Sequence, residues 1–432
     1  METKNRRLTK SIKYLERAKK IIPAGTQTFS KGPTQYVQGI APIYLQKGKG
    51  SHIFDVDGNE YIDYPMALGP ITLGYCYPAV DKAIIAQLQD GITFSLMHPL
   101  EIDLAELLID TIPCAEMVRF GKNGSDVTSG AVRLARAYTN RDKIACCGYH
   151  GWHDWYVGTT SRNRGVPQVT RELTLTFQYN NIESLHRLFT DNKDQIACVI
   201  MEPISVTEPS EDFLAEVKEL THRNGSILIF DEIVTGFRLA LGGAQEYYGI
   251  IPDLSTAGKG MANGMPISAL AGKEEVMRHL GELFFSFTFG GEVLSLAAAI
   301  ATIKEMDQKQ VSRHFWHQGK KLKNGYNALA QEFGLSDRTF CEGLDAHAAI
   351  RFRDSDGKDS LEMKSLFQQE TIKRGILFNG IHNFCYSHSD DDIQVTLDAY
   401  RDAMVILKKA IEENALEEYL EGTAVQPVFR PL

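Results

Sequence analysis

Apolar positions Ile12, Leu15, Ala18 and Ile21 recur at helical spacing near the start of the chain, and Pro23-Ala24-Gly25 ends that pattern. The next stretch, IYLQKGKGSHIFDVDGNEYIDY, reads as short strands turning at Asp57-Gly58-Asn59. From about residue 72 to 300, helical periods alternate with short apolar runs. AVDKAIIAQLQ and Ser125 to about Tyr138 read as helices, MVRF and KIACC as strands; IACVIME, the helix FLAEVKELTHRNG and SILIFDE follow. Strands alternating with helices in this way predict a mainly parallel sheet covered on both faces. Beyond about residue 310 long amphipathic helix dominates, most clearly in VTLDAYRDAMVILKKAIEENALEEYL. The pattern therefore predicts an α/β fold. A large domain is expected over 71–308, with 1–70 and 309–432 joining in a smaller α/β domain built from both chain ends. No period of 20–50 residues repeats, which excludes solenoids and propellers.

Charge narrows the function classes. With 46 Lys+Arg against 55 Asp+Glu the net charge is −9, the reverse of the basic surplus that tracks phosphates, so no nucleic-acid partner is expected. No apolar run approaches the ~18–20 residues of a membrane span. The basic start METKNRRLTKSIKYLERAKK lacks the apolar core of a secretory signal. Seven scattered cysteines without a C-x-x-C pair argue against a disulfide framework or zinc site and for a cytoplasmic protein.

The strongest local signal for chemistry is SILIFDEIVTGFR, where Asp231-Glu232 end a buried strand at the edge where α/β sheets gather ligands. A magnesium-nucleotide reading needs a G-x-x-x-x-G-K-[ST] loop, and the chain has none. Lys259 stands between Gly258 and Gly260, with room for a ligand to approach. A buried lysine with lowered pKa forms Schiff bases with carbonyl compounds, pyridoxal phosphate included. Such a cofactor wants a carboxylate at its ring nitrogen, for which Asp231 is the candidate. RFGKNGSDVTSG runs a strand through Gly124 and Ser125 into a helix whose N-terminus attracts phosphate, although Ser125 could simply cap that helix. Tyr149 in GYHGWHDWY suits stacking on a flat ring or ordinary packing. His150 and His153 suggest a metal, yet no further ligand set accompanies them, so none is expected.

FDVDGNEYIDY, EMVRFGKNGSD, RAYTNRDKI, GYHG, MEPI, FDEIVTGFR, PDLSTAGKG and the TFGG run occur in order over nearly the whole chain. Together they make the sequence resemble the class-III, fold-type I pyridoxal-phosphate aminotransferases, in the glutamate-1-semialdehyde aminomutase-like branch. The resemblance implies that Lys259 holds the cofactor as a Schiff base and Asp231 pairs with its pyridine nitrogen. It places Ile233 and Tyr149 on opposite ring faces, and Gly124 and Ser125 at the phosphate. Thr288 matches a threonine that reaches the phosphate from the neighbouring subunit, which implies a homodimer with active sites at the interface.

Departures from that branch separate two reactions. GTTSRNRGVPQ is much shorter than the lid that retains the mutase intermediate, and Lys31 stands where an arginine holds the substrate carboxylate. Gly380 or a neighbour replaces an acidic residue, and Glu292 differs from the usual asparagine-containing run; a carboxylate there would suit a hydroxyl- or amine-rich substrate. We therefore expect ping-pong transfer of an amino group between a small-molecule donor and a small polar carbonyl acceptor. Intramolecular transfer in glutamate-1-semialdehyde is the alternative. A non-catalytic binding protein of the same fold is disfavoured by retention of both Lys259 and Asp231.

Overall fold

The computed structural model describes residues 7–204 and 206–427. The described chain divides into two compact units, one spanning Pro78–Arg313 and the other formed by residues 7–77 together with residues 314–427.

The Pro78–Arg313 unit is built on a seven-stranded sheet. In chain order its strands are β1 (Met117–Gly121), β2 (Lys143–Cys147), β3 (Thr174–Thr176), β4 (Ile196–Met201), β5 (Ile227–Asp231), β6 (Leu254–Ala257) and β7 (Ser268–Gly272). They lie side by side as β3-β2-β4-β5-β6-β7-β1. All pairs are parallel except those of β7, which runs antiparallel to both β6 and β1. Every residue of β4 and β5 is buried, as expected of central strands covered on both faces. Side chains alternate between two cores. Ile227 and Ile229 pack with Val127 and Ala131 of the helix Gly124–Thr139, whereas Leu228 and Phe230 pack with Val217 and Leu220 of the helix Phe213–Arg223.

The other unit carries a sheet of Leu45–Lys49, His52–Asp55 and Glu60–Asp63 in antiparallel order, with Ile376–Leu377 added parallel to the last. The Asp57-Gly58-Asn59 turn is held by Asp55, whose Oδ1 accepts the N–H of both Asp57 and Asn59. Tyr326 packs edge-on against both Phe367 and Tyr400, whose rings are tilted against each other. The long C-terminal helix differs from the reading of its pattern. It starts earlier, at Asp390, because Ser389 and Asp392 form a capping box and three aspartates occupy the first turn. It ends at Glu412, where Asn414 takes a left-handed conformation (φ 51°), and only a single turn, Leu416–Tyr419, follows. No helix among the described residues is long and apolar enough to cross a membrane.

Candidate active site

The segments after β1, β2, β4, β5 and β6 all emerge at the carboxyl edge of the sheet. Antiparallel β7 does not disturb this, since it turns the chain back and leaves β1 and β6 pointing the same way. Asp231, the last residue of β5, is 3 % exposed and pairs in register with Thr256 of β6. Its Oδ1 accepts the Thr256 hydroxyl at 3.2 Å and the Ile233 N–H at 3.1 Å. Its Oδ2 lies 2.8 Å from Nδ1 of buried His150, whose Nε2 lies 3.1 Å from the Cys147 carbonyl. A carboxylate oxygen accepts, so ring Nδ1 donates to Asp231 Oδ2 and holds that carboxylate in place. His150 is thus a second support of this site through its contact with Asp231. Its partner lies 81 residues away, a contact that no local spacing reveals.

Lys259 follows β6 in a single helical turn and holds a left-handed backbone (φ 31°), a strained conformation for a lysine. Burial pushes its ammonium below the ordinary lysine value. The carboxylates of Glu202 and Asp231 pull it back up, and Arg238 adds to the depression. Glu202, just after β4, was not singled out from the sequence beyond its place in MEPI. It accepts the Tyr149 N–H at 2.8 Å, and burial followed by the charge of Asp231 raises its pKa. The signal that could have found it is its position, a carboxylate at the end of an apolar strand beside that of Asp231.

The turn after β1 leads into the start of the helix Gly124–Thr139. Asp126 accepts the N–H groups of Lys122 and Asn123, so Asn123 and Asp126 close the helix start. Ser125 is therefore not the cap, and its hydroxyl instead accepts the Trp152 N–H at 3.2 Å. A first turn leaves N–H groups without intrahelical acceptors, which favours a phosphate there. Gly124 keeps this turn against Ile233, since a Cβ on Gly124 would stand 3.2 Å from three Ile233 side-chain carbons. Tyr149 is half-exposed and packs edge-on against Tyr156.

Two residues have other settings. Thr288 is exposed on the turn before Gly290 and makes no hydrogen bond among the described residues. Glu292 caps the helix Val293–Gln308: Oε1 accepts the Leu294 N–H, and Oε2 takes the Ser295 hydroxyl and Lys122 Nζ. Its carboxylate is committed to structure, a role that the sequence left open. Lys31 lies in the other unit, exposed at the end of the single turn Phe29–Lys31.

A buried carboxylate with its own histidine, a lysine of lowered pKa and a glycine turn at a helix start fit pyridoxal phosphate as a donor set. Comparison with known proteins agrees. The family model for class-III aminotransferases matches residues 35–381. The 3-aminobutyryl-CoA aminotransferase of Cloacimonas acidaminovorans is 37% identical over 94% of this chain and 99% of its own. The glutamate-1-semialdehyde 2,1-aminomutase of Chloroherpeton thalassium is 34% identical over 92% of this chain and 98% of its own. Among solved structures, the FumI protein of Sphingopyxis sp. MTA144, in its pyridoxal-phosphate form, superposes with a TM-score of 0.88 at 28% identity. That match covers 94% of this chain and 98% of the other. The chain belongs to the class-III aminotransferases, fold-type I enzymes that depend on pyridoxal phosphate.

Proposed function

We propose that the enzyme transfers an amino group between two separate small molecules, a donor amine and a polar carbonyl acceptor, in two linked half-reactions. The observation that carries this reading is the short segment after Tyr156. Between the single turns Asp154–Val157 and Gln168–Glu172 the chain has only an irregular stretch, too short for a long lid over a retained intermediate. The 3-aminobutyryl-CoA aminotransferase relative, similar over nearly its full length, supports the same side of the choice.

Pyridoxal phosphate, when bound, supplies the carbonyl that captures an amine and the electron sink that weakens the adjacent C–H bond. In our reading Lys259 holds it, the helix start at Gly124 and Ser125 receives its phosphate, and Ile233 and Tyr149 flank its ring. Asp231, charged and braced by His150, holds a proton on the ring nitrogen. Lys259, once displaced, takes the proton from the substrate's amine-bearing carbon as a neutral amine and returns it one position away. Burial lowers its pKa in the direction that this base role requires.

The reading includes a homodimer, with Thr288 directed at the partner's phosphate site. Ile92, Phe94, Leu96, Met97, Phe284 and Phe289 are all exposed in the Pro78–Arg313 unit, an apolar display that a second copy would cover. The free cysteines suit a reducing cytoplasm.

The test is a screen of α-, β- and ω-amino donors with the holoenzyme, following cofactor absorbance and released product. A productive donor should leave the amino form of the cofactor and free carbonyl product, and an acceptor should reverse the change with ping-pong kinetics. Efficient isomerisation of glutamate-1-semialdehyde without free intermediate would instead establish the mutase.

A further inference from the structure

Lys122 stands just ahead of Gly124, in the turn between β1 and the helix Gly124–Thr139, and the aminotransfer reading gives it no role. Its ammonium lies 2.9 Å from Glu292 Oε2, with the two side chains only 16 % and 12 % exposed. Both belong to the Pro78–Arg313 unit. A covered ion pair of this kind is screened far less by salt than an exposed one.

Glu292 is the fixed end. It caps the helix Val293–Gln308, of which Val293, Ser295, Leu296, Ala298 and Ala299 are buried. Its Oε1 accepts the Leu294 N–H at 2.7 Å and its Oε2 the Ser295 hydroxyl at 2.6 Å. Burial pushes its carboxyl up, but the Ser295 hydroxyl and Lys122 outweigh burial and hold it below the ordinary glutamate value. Lys122 is the end that needs holding, since its turn is irregular. Asp126 accepts the Lys122 N–H at 3.0 Å, and the Ser268 hydroxyl donates to the Asn123 carbonyl at 2.8 Å. Those bonds tie the turn to its own helix and to β7, and the ion pair ties it to a third element. β1 itself is tied to the segment before Glu292, where Arg119 donates to the Phe285 carbonyl at 3.0 Å.

We infer that Lys122 and Glu292 are positioning residues for the cofactor's phosphate: their ion pair holds the turn before Gly124 and Ser125 against the capped end of the helix Val293–Gln308. This deepens the proposed function and rests on its placement of the phosphate at Gly124 and Ser125. Backbone N–H groups bind an anion well only when their directions are already set, because a loop that orders on binding loses affinity to that ordering. The carboxylate also occupies the ammonium, so Lys122 acts through the turn and not as the phosphate's own counter-charge.

Pyridoxal phosphate and pyridoxal, which lacks the phosphate, separate this role from a general one. Each is titrated into the full chain freed of cofactor, with the Schiff-base absorbance as readout. Lys122→Met and Glu292→Gln should each weaken pyridoxal phosphate about ten-fold while leaving pyridoxal unchanged, as for loss of a charged contact. The double variant should lose no more than either single one, since both remove the same contact. Lys122→Arg should recover most of the affinity. Equal weakening of both compounds would make the pair merely structural and overturn the inference, as would unchanged affinity for pyridoxal phosphate. Tighter binding in Glu292→Gln would show a freed Lys122 gripping the phosphate directly and would overturn it too. Should Glu292→Gln fail to fold, Lys122→Met and Lys122→Arg decide. Ser125→Asp tests the placement itself by setting at the helix start a negative charge that a helix N-terminus tolerates. If Ser125→Asp spares pyridoxal phosphate, the placement fails and the inference falls with it. If Ser125→Asp weakens it and Lys122→Met does not, the inference alone fails.

Discussion

Lys259 combines a strained backbone with a depressed pKa, and both are unusual for a lysine serving only as a surface charge. Lys259→Arg should keep the fold but lose the cofactor's covalent absorbance band and turnover. Borohydride reduction of the wild type should fix the cofactor to the peptide containing Lys259. Recovery on Lys122 or Lys273 would refute the assignment, and the structure gives those two other work, in pairs with Glu292 and Asp253. Asp231→Asn keeps the shape but removes the charge opposite His150. Turnover should fall by orders of magnitude while cofactor content, measured after dialysis, falls far less. Near-normal turnover would assign the ring nitrogen to another residue. At this scale the placement of Asp231 and Lys259 was legible in the sequence, since a strand end and a glycine-flanked turn are local features. His150 and Glu202 were not legible in the same way, because their roles arise from neighbours far away in the chain. The capping role of Glu292 was not legible, because Ser, Thr, Asp and Asn are the usual helix caps and a glutamate in that place does not announce one.

Among the elements, the two turns on either side of Ser125 are fitted to each other. Gly151 has φ +104°, and a Cβ there would lie 2.1 Å from the Ser125 hydroxyl oxygen. Gly151→Ala should therefore cost roughly 1–2 kcal/mol from the left-handed backbone alone and displace Ser125 as well. A lowered urea midpoint and faster cofactor loss on dialysis are the expected outcomes; unchanged values for both would show that the turn adapts freely. The strands of the sheet were readable because their apolar runs are continuous and buried on both faces. Helix ends were read less well. The last long helix stops at Asn414, whose left-handed conformation is a local backbone choice that an apolar repeat running on to Leu420 conceals.

For the whole molecule, pH response follows from buried groups in the unit carrying the chain ends. Burial lowers His382 to about 3 and His388 to about 4, so both fold as neutral rings. Unfolded, each regains a pKa near 6.5, and below that pH the unfolded chain binds more protons, so stability falls as pH falls. Asp63 opposes this. Raised to about 6, it takes up a proton on the folded side between about 6 and the ordinary carboxylate value, offsetting one histidine. The net expectation from these groups is a loss of about 1.4 kcal/mol per pH unit between pH 6 and 4.5. Urea unfolding monitored at pH 7, 6 and 5 checks it, and midpoints that stay level to pH 5 would contradict it.

The position of β7 has a consequence for how the protein is made. In the sheet β1 pairs only with β7, and β7 is the last of these strands to be synthesised. The turn at Gly124 and Ser125 emerges from the ribosome early, yet the strand that carries it has no neighbour in the sheet until Ser268–Gly272 has followed. A nascent chain halted before that point should retain no cofactor even with Asp231 and Lys259 already present, whereas one released just beyond the unit's end should. Cofactor capture would then report that the last strand of the unit has closed.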